Sequence, residues 1–372
     1  METYYEKKLV SDKLLVLAAA VSLTVIGLLA FFDSGLRTVC LLLIGASLGA
    51  VFWAFQFGFS SGWRLFVTGE DSRPILTHLI LVGLTTVLVI PTLEYLNADP
   101  GAIAPISFSL PAGACLFGIG MQFANGCGSG TLCALGGGSG RMIIVLPFFI
   151  FGSLLGSFIL PHALSLGGFE AIIIGDGLDI GGRIFLNLMI ITVVALIISY
   201  WTHLRGQKFS ISLNTLLGTT LIAILCWLCV IFSGHPWGIT FGFTLWGAKL
   251  WLLFGGDLTM FQFWNWDGPA RALNNSILSD ISSIMNLGMI FGALFLSSYI
   301  RHNKYYSWPS LDELVFSSIG GLLMGIGARL AFGCNIGAFL GGVSSGSLHG
   351  WIWFACALFG SWCGIRLQNS FK

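Results

Sequence analysis

The sequence is poor in charge. Only 9% of its 372 residues are Asp, Glu, Lys or Arg, against about 25% in soluble domains. Apolar residues make up 56% of the chain, and the mean hydropathy is +0.89. A soluble enzyme or a disordered scaffold of this composition is excluded because too much apolar surface would meet water. The net charge is +1 without a basic block, so we expect no nucleic-acid partner. The composition predicts a polytopic membrane protein whose first partner is the lipid bilayer.

The sequence also lacks the residue patterns of a cofactor site. The glycine run Gly136–Gly140 does not end in the Gly-Lys-Ser/Thr of a phosphate loop. The six His are scattered without metal-ligand spacing. The pair Cys226 and Cys229 has no second pair and Trp and Leu between, which favours helix packing over a metal. No pair of carboxylates falls within an apolar run, which argues against a carboxylate-based pump. We therefore expect neither a cofactor site nor a metal site, and we expect that the protein is not an enzyme.

Long apolar runs recur along the whole chain. A transmembrane helix needs about 20 predominantly apolar residues, and ten segments meet that test. They are Lys13–Phe32, Leu36–Gly58, Pro74–Leu96, Leu110–Asn125, Met142–Leu164, Ile184–Leu204, Ser210–Ser233, Leu278–Tyr299, Leu314–Phe332 and Leu348–Leu367. The sequence therefore predicts an all-α fold with about ten transmembrane helices.

Four glycine-rich pieces are too short or too broken to cross a membrane. We expect them to be re-entrant loops or half-helices, because irregular backbone survives at membrane depth only where protein or water covers it. They are Phe59–Thr68, Gly128–Gly140, Gly242–Gly255 and Asn335–Gly346.

The distribution of basic residues predicts the orientation. With the N-terminus in the cytoplasm, four basic residues fall outside, namely Arg37, Arg183, Lys249 and Arg271. The cytoplasmic set is three times larger: Lys7, Lys8, Lys13, Arg64, Arg73, Arg141, Arg205, Lys208, Arg301, Lys304, Arg366 and Lys372. The positive-inside rule then places both termini in the cytoplasm of a multi-pass protein of the cell inner membrane. We reject a cleaved signal peptide for the first span, because no clean cleavage site follows it.

The chain contains an internal repeat. The segment 118–130 aligns without a gap on 325–337, and 151–156 matches 359–364 after a one-residue shift. A weaker match pairs Phe57–Ser60 and Arg64 with Phe241–Thr244 and Lys249. We interpret the chain as one transporter domain with a first repeat at 1–166, a linker at 167–183 and a second repeat at 184–372. Five spans per repeat is odd, so the second copy must be inverted, which is typical of a transporter or channel.

Each aligned segment contains a Gly-Cys pair at the point where an apolar run ends. These pairs are Gly126-Cys127 and Gly333-Cys334. Half-helix ends can bind anions through free backbone N–H groups, here those of Gly128 and Asn335, with further hydrogen bonds from the side chains of Asn125 and Asn335. The alternative is that both thiols are inert packing residues at a tight turn. Two copies in register favour the functional interpretation.

Basic side chains lie near these breaks. Arg329 is the one cation that we place well inside a span, five residues before Cys334. An ionisable residue there usually faces a cavity or a partner, although helix-end carbonyls can also hold an arginine. Four others lie at loop mouths and can form a funnel that attracts anions: Arg64, Arg141, Lys249 and His349. Arg64 and Arg141 can equally be ordinary charges that set the membrane topology.

Three stretches resemble the YeeE/YedE family of sulfur-transport membrane proteins. They are Gly126–Thr131, Arg329–Gly337 and Ser347–Trp351. The resemblance implies uptake of thiosulfate through an hourglass of helices whose loops dip to the middle. It also implies that Cys127 and Cys334 pass the ion along by transient S–H···S hydrogen bonds. A cytoplasmic sulfur-carrier protein is a partner implied by the same resemblance.

The sequence departs from the thiosulfate branch of that family in its first glycine-rich interruption. That branch has a Cys there, where this chain has Ser60 and Ser61, and this departure is more similar to the YedE-type branch. A selenium compound or a persulfide therefore stays open as the substrate. Two other hypotheses are a membrane thiol redox protein that uses Cys127 and Cys334 as a dithiol, and a purely structural subunit.

Overall fold

A computed structural model describes residues 12–96, 101–206, 210–300 and 309–371, and within them the chain is almost entirely helical. Six basic residues of the predicted cytoplasmic set (Lys7, Lys8, Lys208, Arg301, Lys304 and Lys372) lie outside these residues. The α-helices are α1 Lys13–Ser34, α2 Leu36–Ala54, α3 Phe59–Thr68, α4 Arg73–Tyr95, α5 Ser109–Ala124, α6 Gly128–Gly136, α7 Gly140–Ser165, α8 Ile180–Leu204, α9 Leu213–Ser233, α10 Thr240–Leu253, α11 Asp267–Asn274, α12 Ile281–Tyr299, α13 Leu311–Leu330, α14 Gly342–Ser344 and α15 Leu348–Ser370.

Shorter elements complete the fold. A π-helix spans Asn335–Gly341, and 3₁₀ turns occupy Gln262–Asn265 and Ile277–Ser279. Two residues of β1 (Ile106–Ser107) pair antiparallel with β2 (Gly168–Phe169), joining Ile106 to Phe169 and Ser107 to Gly168. The all-α prediction is confirmed for the part of the chain that is described.

Nine helical stretches in the described residues are long and apolar enough to cross a membrane. They account for nine of the ten predicted spans. The tenth, Leu110–Asn125, is the 16-residue helix α5, which is about 24 Å long and falls short of a hydrocarbon core of about 30 Å. It ends early because Asn125 adopts a left-handed conformation with φ of 55°.

The four glycine-rich pieces fold as short helices. They correspond to α3, α6, α10 and the π-helix with α14, each between 3 and 14 residues long. None has the length of a span on its own, in agreement with the sequence. In α1 and α8 most apolar side chains point away from the protein, as a lipid-facing position requires.

Glycines let α5 and α13 pack backbone to backbone. A Cβ added at Gly113 would lie 2.8 Å from the carbonyl oxygen of Gly327, and one at Gly120 would lie 2.6 Å from that of Gly320. The approach is mutual, because a Cβ at Gly327 would lie 2.5 Å from the oxygen of Gly113 and one at Gly320 would lie 2.8 Å from that of Gly120. Small residues replace the hydrophobic driving force that lipid does not provide.

The contacts of the two repeat segments correspond. When the ungapped alignment is extended back to residue 113, Gly113 matches Gly320 and Gly120 matches Gly327. Replacing each glycine by its match in the other copy therefore turns the contact of Gly113 with Gly327 into the contact of Gly320 with Gly120. The outer neighbours exchange as well. A Cβ at Gly118 would meet the carbonyl of Ala357 in α15, and one at Gly325 would meet that of the matching residue, Phe149, in α7. Each repeat segment therefore packs against a helix of the other half.

Candidate functional site

Cys127 occupies the N-cap of the short helix α6. Its sulfur accepts a hydrogen bond from the backbone N–H of Gly130 at 3.3 Å and lies 3.4 Å from the hydroxyl of Ser129. The side chain is 1% exposed. The free N–H groups and positive dipole end of a helix favour negative charge at this position. The prediction that this thiol lies at a helix break is confirmed.

Cys334 has the matching position in the second copy. It is the N-cap of the π-helix and is fully buried. The turns before the two thiols also match, because Asn125 and Phe332 have φ of 55° and 60°. Gly333 follows Phe332 with φ of 155°, and a Cβ there would lie 2.7 Å from the nitrogen of Ala338. A glycine is therefore required immediately before Cys334.

The two cysteine loops meet inside the protein. A Cβ added at Gly128 would lie 3.3 Å from the sulfur of Cys334 and 3.7 Å from the side chain of Ile239. Gly128, the residue after Cys127, therefore borders the thiol of Cys334. Because Gly128 has no side chain, its backbone faces the sulfur of Cys334 directly. Both thiols are free in the structure.

Several buried polar atoms on or near the two cysteine loops have no hydrogen-bond partner among the described residues. Asn335 is fully buried, yet neither its amide nitrogen nor its amide oxygen has a hydrogen-bond partner among the described residues. The same holds for the hydroxyl of Thr131 in α6 and for the amide oxygen of Asn286, whose nitrogen donates to the carbonyl of Ile239 at 2.9 Å. Buried polar groups are normally satisfied, so these atoms are available to water or to a ligand.

Arg329 lies in the last turn of α13 and is 9% exposed. Its Nε has no acceptor, and within the described part of the chain no carboxylate pairs with its guanidinium. Two aromatic rings flank the charge, with centroids 5.9 Å away for Phe241 and 5.7 Å away for Phe263. Helix-end carbonyls do not hold this side chain. A buried and unneutralised cation is costly unless an anion accompanies it.

A cavity of about 680 Å³ lies beside Arg329. It is called the Arg329 cavity below, and the side of the protein on which it lies is the cavity face. It extends to Gly333 and Gly337, on either side of Cys334 in sequence. Its titratable lining residues come from five parts of the fold: His235, Arg271, Asp280, Arg329 and His349.

Two residues that the sequence predicts at loop mouths, His349 and Lys249, lie elsewhere in the structure. His349 is 2% exposed, not at a mouth, and its Nδ1 lies 2.7 Å from the hydroxyl of Ser347 while the residue lines the Arg329 cavity. Lys249 does not line the cavity, because its ammonium donates to the carbonyls of Leu273 and Asn275 at 2.6 and 2.8 Å. Lys249 therefore stabilises the C-terminal end of α11.

Two arginines, Arg64 and Arg141, lie at the C-terminal end of α5, away from the Arg329 cavity. Arg64 donates to the side chain of Gln122 at 3.1 Å, to its carbonyl at 2.9 Å and to the side chain of Gln368 at 3.1 Å. Arg141 donates to the carbonyl of Phe123 at 2.8 Å and to the hydroxyl of Ser317 at 2.9 Å. Both guanidinium groups therefore satisfy the carbonyls at the end of α5.

Ser60, Ser61 and Asn125 lie away from the Arg329 cavity. The hydroxyl of Ser60 donates to the carbonyl of Met121 at 3.1 Å, and that of Ser61, which is exposed, to the carbonyl of Gly58 at 3.5 Å. Asn125 is exposed and shapes the end of α5. None of the three lines the cavity. The prediction that the side chain of Asn125 helps to cradle an anion stays a prediction.

Sequence reasoning missed five residues that the structure places at or near the site: Gln122, Thr131, Arg271, Asp280 and Asn286. A signal existed for Gln122, which lies five residues before Cys127 as Arg329 lies five before Cys334. Thr131 also lies within the quoted motif around Cys127. Asp280 and Asn286 are polar residues inside the predicted span Leu278–Tyr299, a signal of the kind that marked Arg329. No local pattern marks Arg271, which tertiary packing alone brings to the cavity.

Comparisons with known proteins agree with this architecture. A family model described as sulphur transport matches residues 56–363. The chain is 36% identical to the probable transporter YedE of Escherichia coli K12 over 135 residues, which is 36% of this chain but only 32% of that relative's length. The thiosulfate transporter TsuA of the same organism is 24% identical over 86% of this chain and 92% of its own. The thiosulfate transporter TsuA of Spirochaeta thermophila is 27% identical over 86% and 96%.

Proposed function

This chain belongs to the sulphur transport family, a family of membrane transporters, and on that premise we propose that it takes up thiosulfate or a related small sulfur-containing anion. The observation that carries the proposal is the unpaired guanidinium of Arg329 in a cavity that reaches the turn holding Cys334. A fixed, buried positive charge next to a thiol favours a ligand that has both negative charge and sulfur. The two relatives named thiosulfate transporters, each matched over 86% of this chain, support the same substrate.

The proposed pathway begins in the Arg329 cavity. The anion exchanges part of its hydration shell for the charge of Arg329 and the free amide of Asn335. Cys334 then donates an S–H hydrogen bond to its sulfur, and Cys127 takes it over at the N-terminus of α6. The absence of a side chain at Gly128 is what lets the anion pass from one thiol to the other. Sulfate has no terminal sulfur for these soft contacts.

The proposed membrane arrangement follows from the basic residues and the repeat. We place both termini in the cytoplasm, the cavity face outside the cell inner membrane, and Arg64 and Arg141 on the cytoplasmic side. The repeats 1–166 and 184–372 are then inverted within one transporter domain, joined by 167–183. The exchanged contacts of α5 and α13 support this relation. A cytoplasmic sulfur-carrier protein would receive the transported anion on the cytoplasmic side of Cys127.

A selenium compound or a persulfide is the second candidate substrate. Ser60 and Ser61 in place of a cysteine favour it, as does the higher identity to YedE over 135 residues. The redox hypothesis remains distinct from both, because it requires a disulfide, with Cα atoms within about 7 Å. Cross-linking of Cys127 to Cys334 on mild oxidation would favour it over the relay.

Uptake of labelled thiosulfate tests the proposal. The host cells lack their own sulfate and thiosulfate importers, and the chain is compared with Cys127→Ala and Cys334→Ala at matched expression. Cys40→Ala in α2 is the matched control, since it removes a half-buried thiol outside the site. We expect uptake to be lost in the two site variants and kept in the control. Wild-type rates in both site variants would refute the relay, and no uptake by the unaltered chain would exclude thiosulfate.

A further inference from the structure

One carboxylate lines the Arg329 cavity among the described residues. Asp280 is partly buried there and shares the lining with Arg271 and Arg329. It forms an ion pair with neither arginine, nor with any other described residue. A negative charge in a cavity that holds an anion opposes binding, so its presence there calls for an explanation.

Asp280 has a structural task that does not depend on its charge. It is the N-cap of α12, and its Oδ2 accepts a hydrogen bond from the backbone N–H of Ser283 at 2.7 Å. A neutral asparagine caps helices as well as aspartate does. Burial raises the pKa of the Asp280 carboxyl above its usual range, and the smaller effect of the hydrogen bonds with Ser283 lowers it. Charge and cap can therefore be separated by one substitution.

The titratable and charged groups that face Asp280 belong to several elements. Arg271 of α11, Arg329 of α13, His349 of α15 and His235 share the cavity lining. Of the helices packed against α12, α10 carries Lys249, engaged by Leu273 and Asn275. The ends of α1 and α2 on the cavity face carry Asp33, which is exposed, and Arg37, which donates to the carbonyls of Phe232 and Ser233. The balance of charge facing Asp280 is therefore positive.

We propose that Asp280 makes anion entry proton-linked, so that the Arg329 cavity binds its anion together with one proton on this carboxyl. The inference rests on the proposed function. When Asp280 is ionised, its charge offsets that of the two arginines, and the anion binds weakly. When it is protonated, their charge is unopposed. By linkage, a bound anion raises the proton affinity of Asp280 as much as the proton raises the affinity for the anion.

Initial uptake rates in proteoliposomes test this linkage, with labelled thiosulfate as the probe at external pH values from about 5 to about 8. Thiosulfate keeps its double negative charge over this range. We expect the apparent KM of the unaltered chain to rise with pH, by at most about tenfold per unit for one proton, with little change in maximal rate. Asp280→Asn retains the cap and should show a low KM at every pH. The matched control is Asp179→Asn, because Asp179 caps α8 in the same way but is exposed and outside the cavity.

The outcomes separate the two proposals. A rise in KM that persists in Asp280→Asn, or that disappears in His235→Gln or His349→Gln instead, would overturn the role of Asp280. A KM of the unaltered chain that does not change with pH would overturn the linkage and leave the proposed transport standing. No uptake by the unaltered chain at any pH would instead refute the proposed substrate. Loss of the rise in Asp280→Asn alone, with Asp179→Asn unchanged, supports the inference.

Discussion

The loops that hold Cys127 and Cys334 have matching turns before the thiol but different side chains around it. Both thiols are N-caps that follow a turn with positive φ. Where the second copy has Arg329, the first has Gln122, and where the second has Asn335, the first has Gly128. The Cys334 loop therefore borders a cavity with a free cation, whereas Gln122 and the end of α5 are held by Arg64 and Arg141.

This difference shows how two copies of one folding unit can keep the same backbone turn and still surround the thiol with different side chains. The repeated glycines keep the close backbone contacts, so both loops reach the centre. The residues that do not match place an unpaired guanidinium beside the Cys334 loop and hydrogen-bonded arginines beside the end of α5. After the one-residue shift His349 matches Arg141, and the first lines the cavity while the second is bonded to a backbone carbonyl. Exchanging side chains between the copies is therefore the way to test the comparison.

Among substitutions that leave both thiols in place, Arg329→Gln should change transport most, because it gives the second copy the residue of the first. This change removes the cation of the cavity, and a hydrogen bond to a charged group contributes about 1.5–3 kcal/mol, or about 10–100-fold in affinity. We expect the apparent KM for thiosulfate uptake to rise by at least about tenfold. Arg329→Lys keeps the charge and should retain part of the affinity. An unchanged KM in Arg329→Gln would show that the cavity does not bind the anion.

The next largest effect is expected from Gly128→Ala. The new methyl group would lie 3.3 Å from the sulfur of Cys334, so it narrows the passage between the thiols with little disturbance of the fold. Uptake should fall severalfold at matched expression, as measured by initial rates. Gly27→Ala is the control, because its methyl group would make an ordinary 3.6 Å contact with Leu42. Equal rates in the two variants would argue against passage at Gly128.

A smaller effect, on stability and not on a single step, is expected from Gly120→Ala. Its methyl group would lie 2.6 Å from the carbonyl of Gly320, and overpacking of this kind costs about 1–3 kcal/mol. We expect a lower midpoint of thermal unfolding in detergent, and a similar loss for Gly327→Ala, which meets Gly113. If the unfolding midpoint fell in only one of the two variants, the two contacts would not be equivalent.

The smallest effect is expected from Ser60→Ala. Its hydroxyl donates to the carbonyl of Met121 and does not line the Arg329 cavity, so uptake should stay close to that of the unaltered chain. If Ser60 instead replaces a relay cysteine, uptake would fall as steeply as in Cys334→Ala. The same measurement on Ser61→Ala separates the two serines.

Local pattern was sufficient for part of this architecture. Apolar runs predicted nine of the spans, and the Gly-Cys repeat predicted two thiols at helix breaks, because both features depend on neighbouring residues alone. The interpretation of Leu110–Asn125 as a full span was wrong, because a left-handed Asn125 ends α5 after 16 residues. Lys249 does not reach the cavity because the carbonyls of Leu273 and Asn275, at the C-terminal end of α11, engage its ammonium.

Which residues line the Arg329 cavity could not be predicted from the sequence, because contacts between distant segments bring them together. Arg271 comes from the segment between α10 and the predicted span Leu278–Tyr299, which bears no periodic or motif signal, and Asp280 lies near the start of that span, where no pattern indicates that it faces a cavity. Arg329 was found from its position inside an apolar run, but its lack of a partner depends on which side chains α10 and the turn after it bring near. Sequence thus locates the thiols, and tertiary packing determines the charge around them.

Equilibrium binding and uptake of labelled thiosulfate by Cys127→Ala, measured side by side on purified and reconstituted protein, test the central claim most directly. We expect the anion still to bind in the Arg329 cavity with the affinity of the unaltered chain, because that cavity and Cys334 are intact, while uptake is lost because the second thiol is missing. Uptake at the rate of the unaltered chain would contradict a pathway that runs past both cysteines.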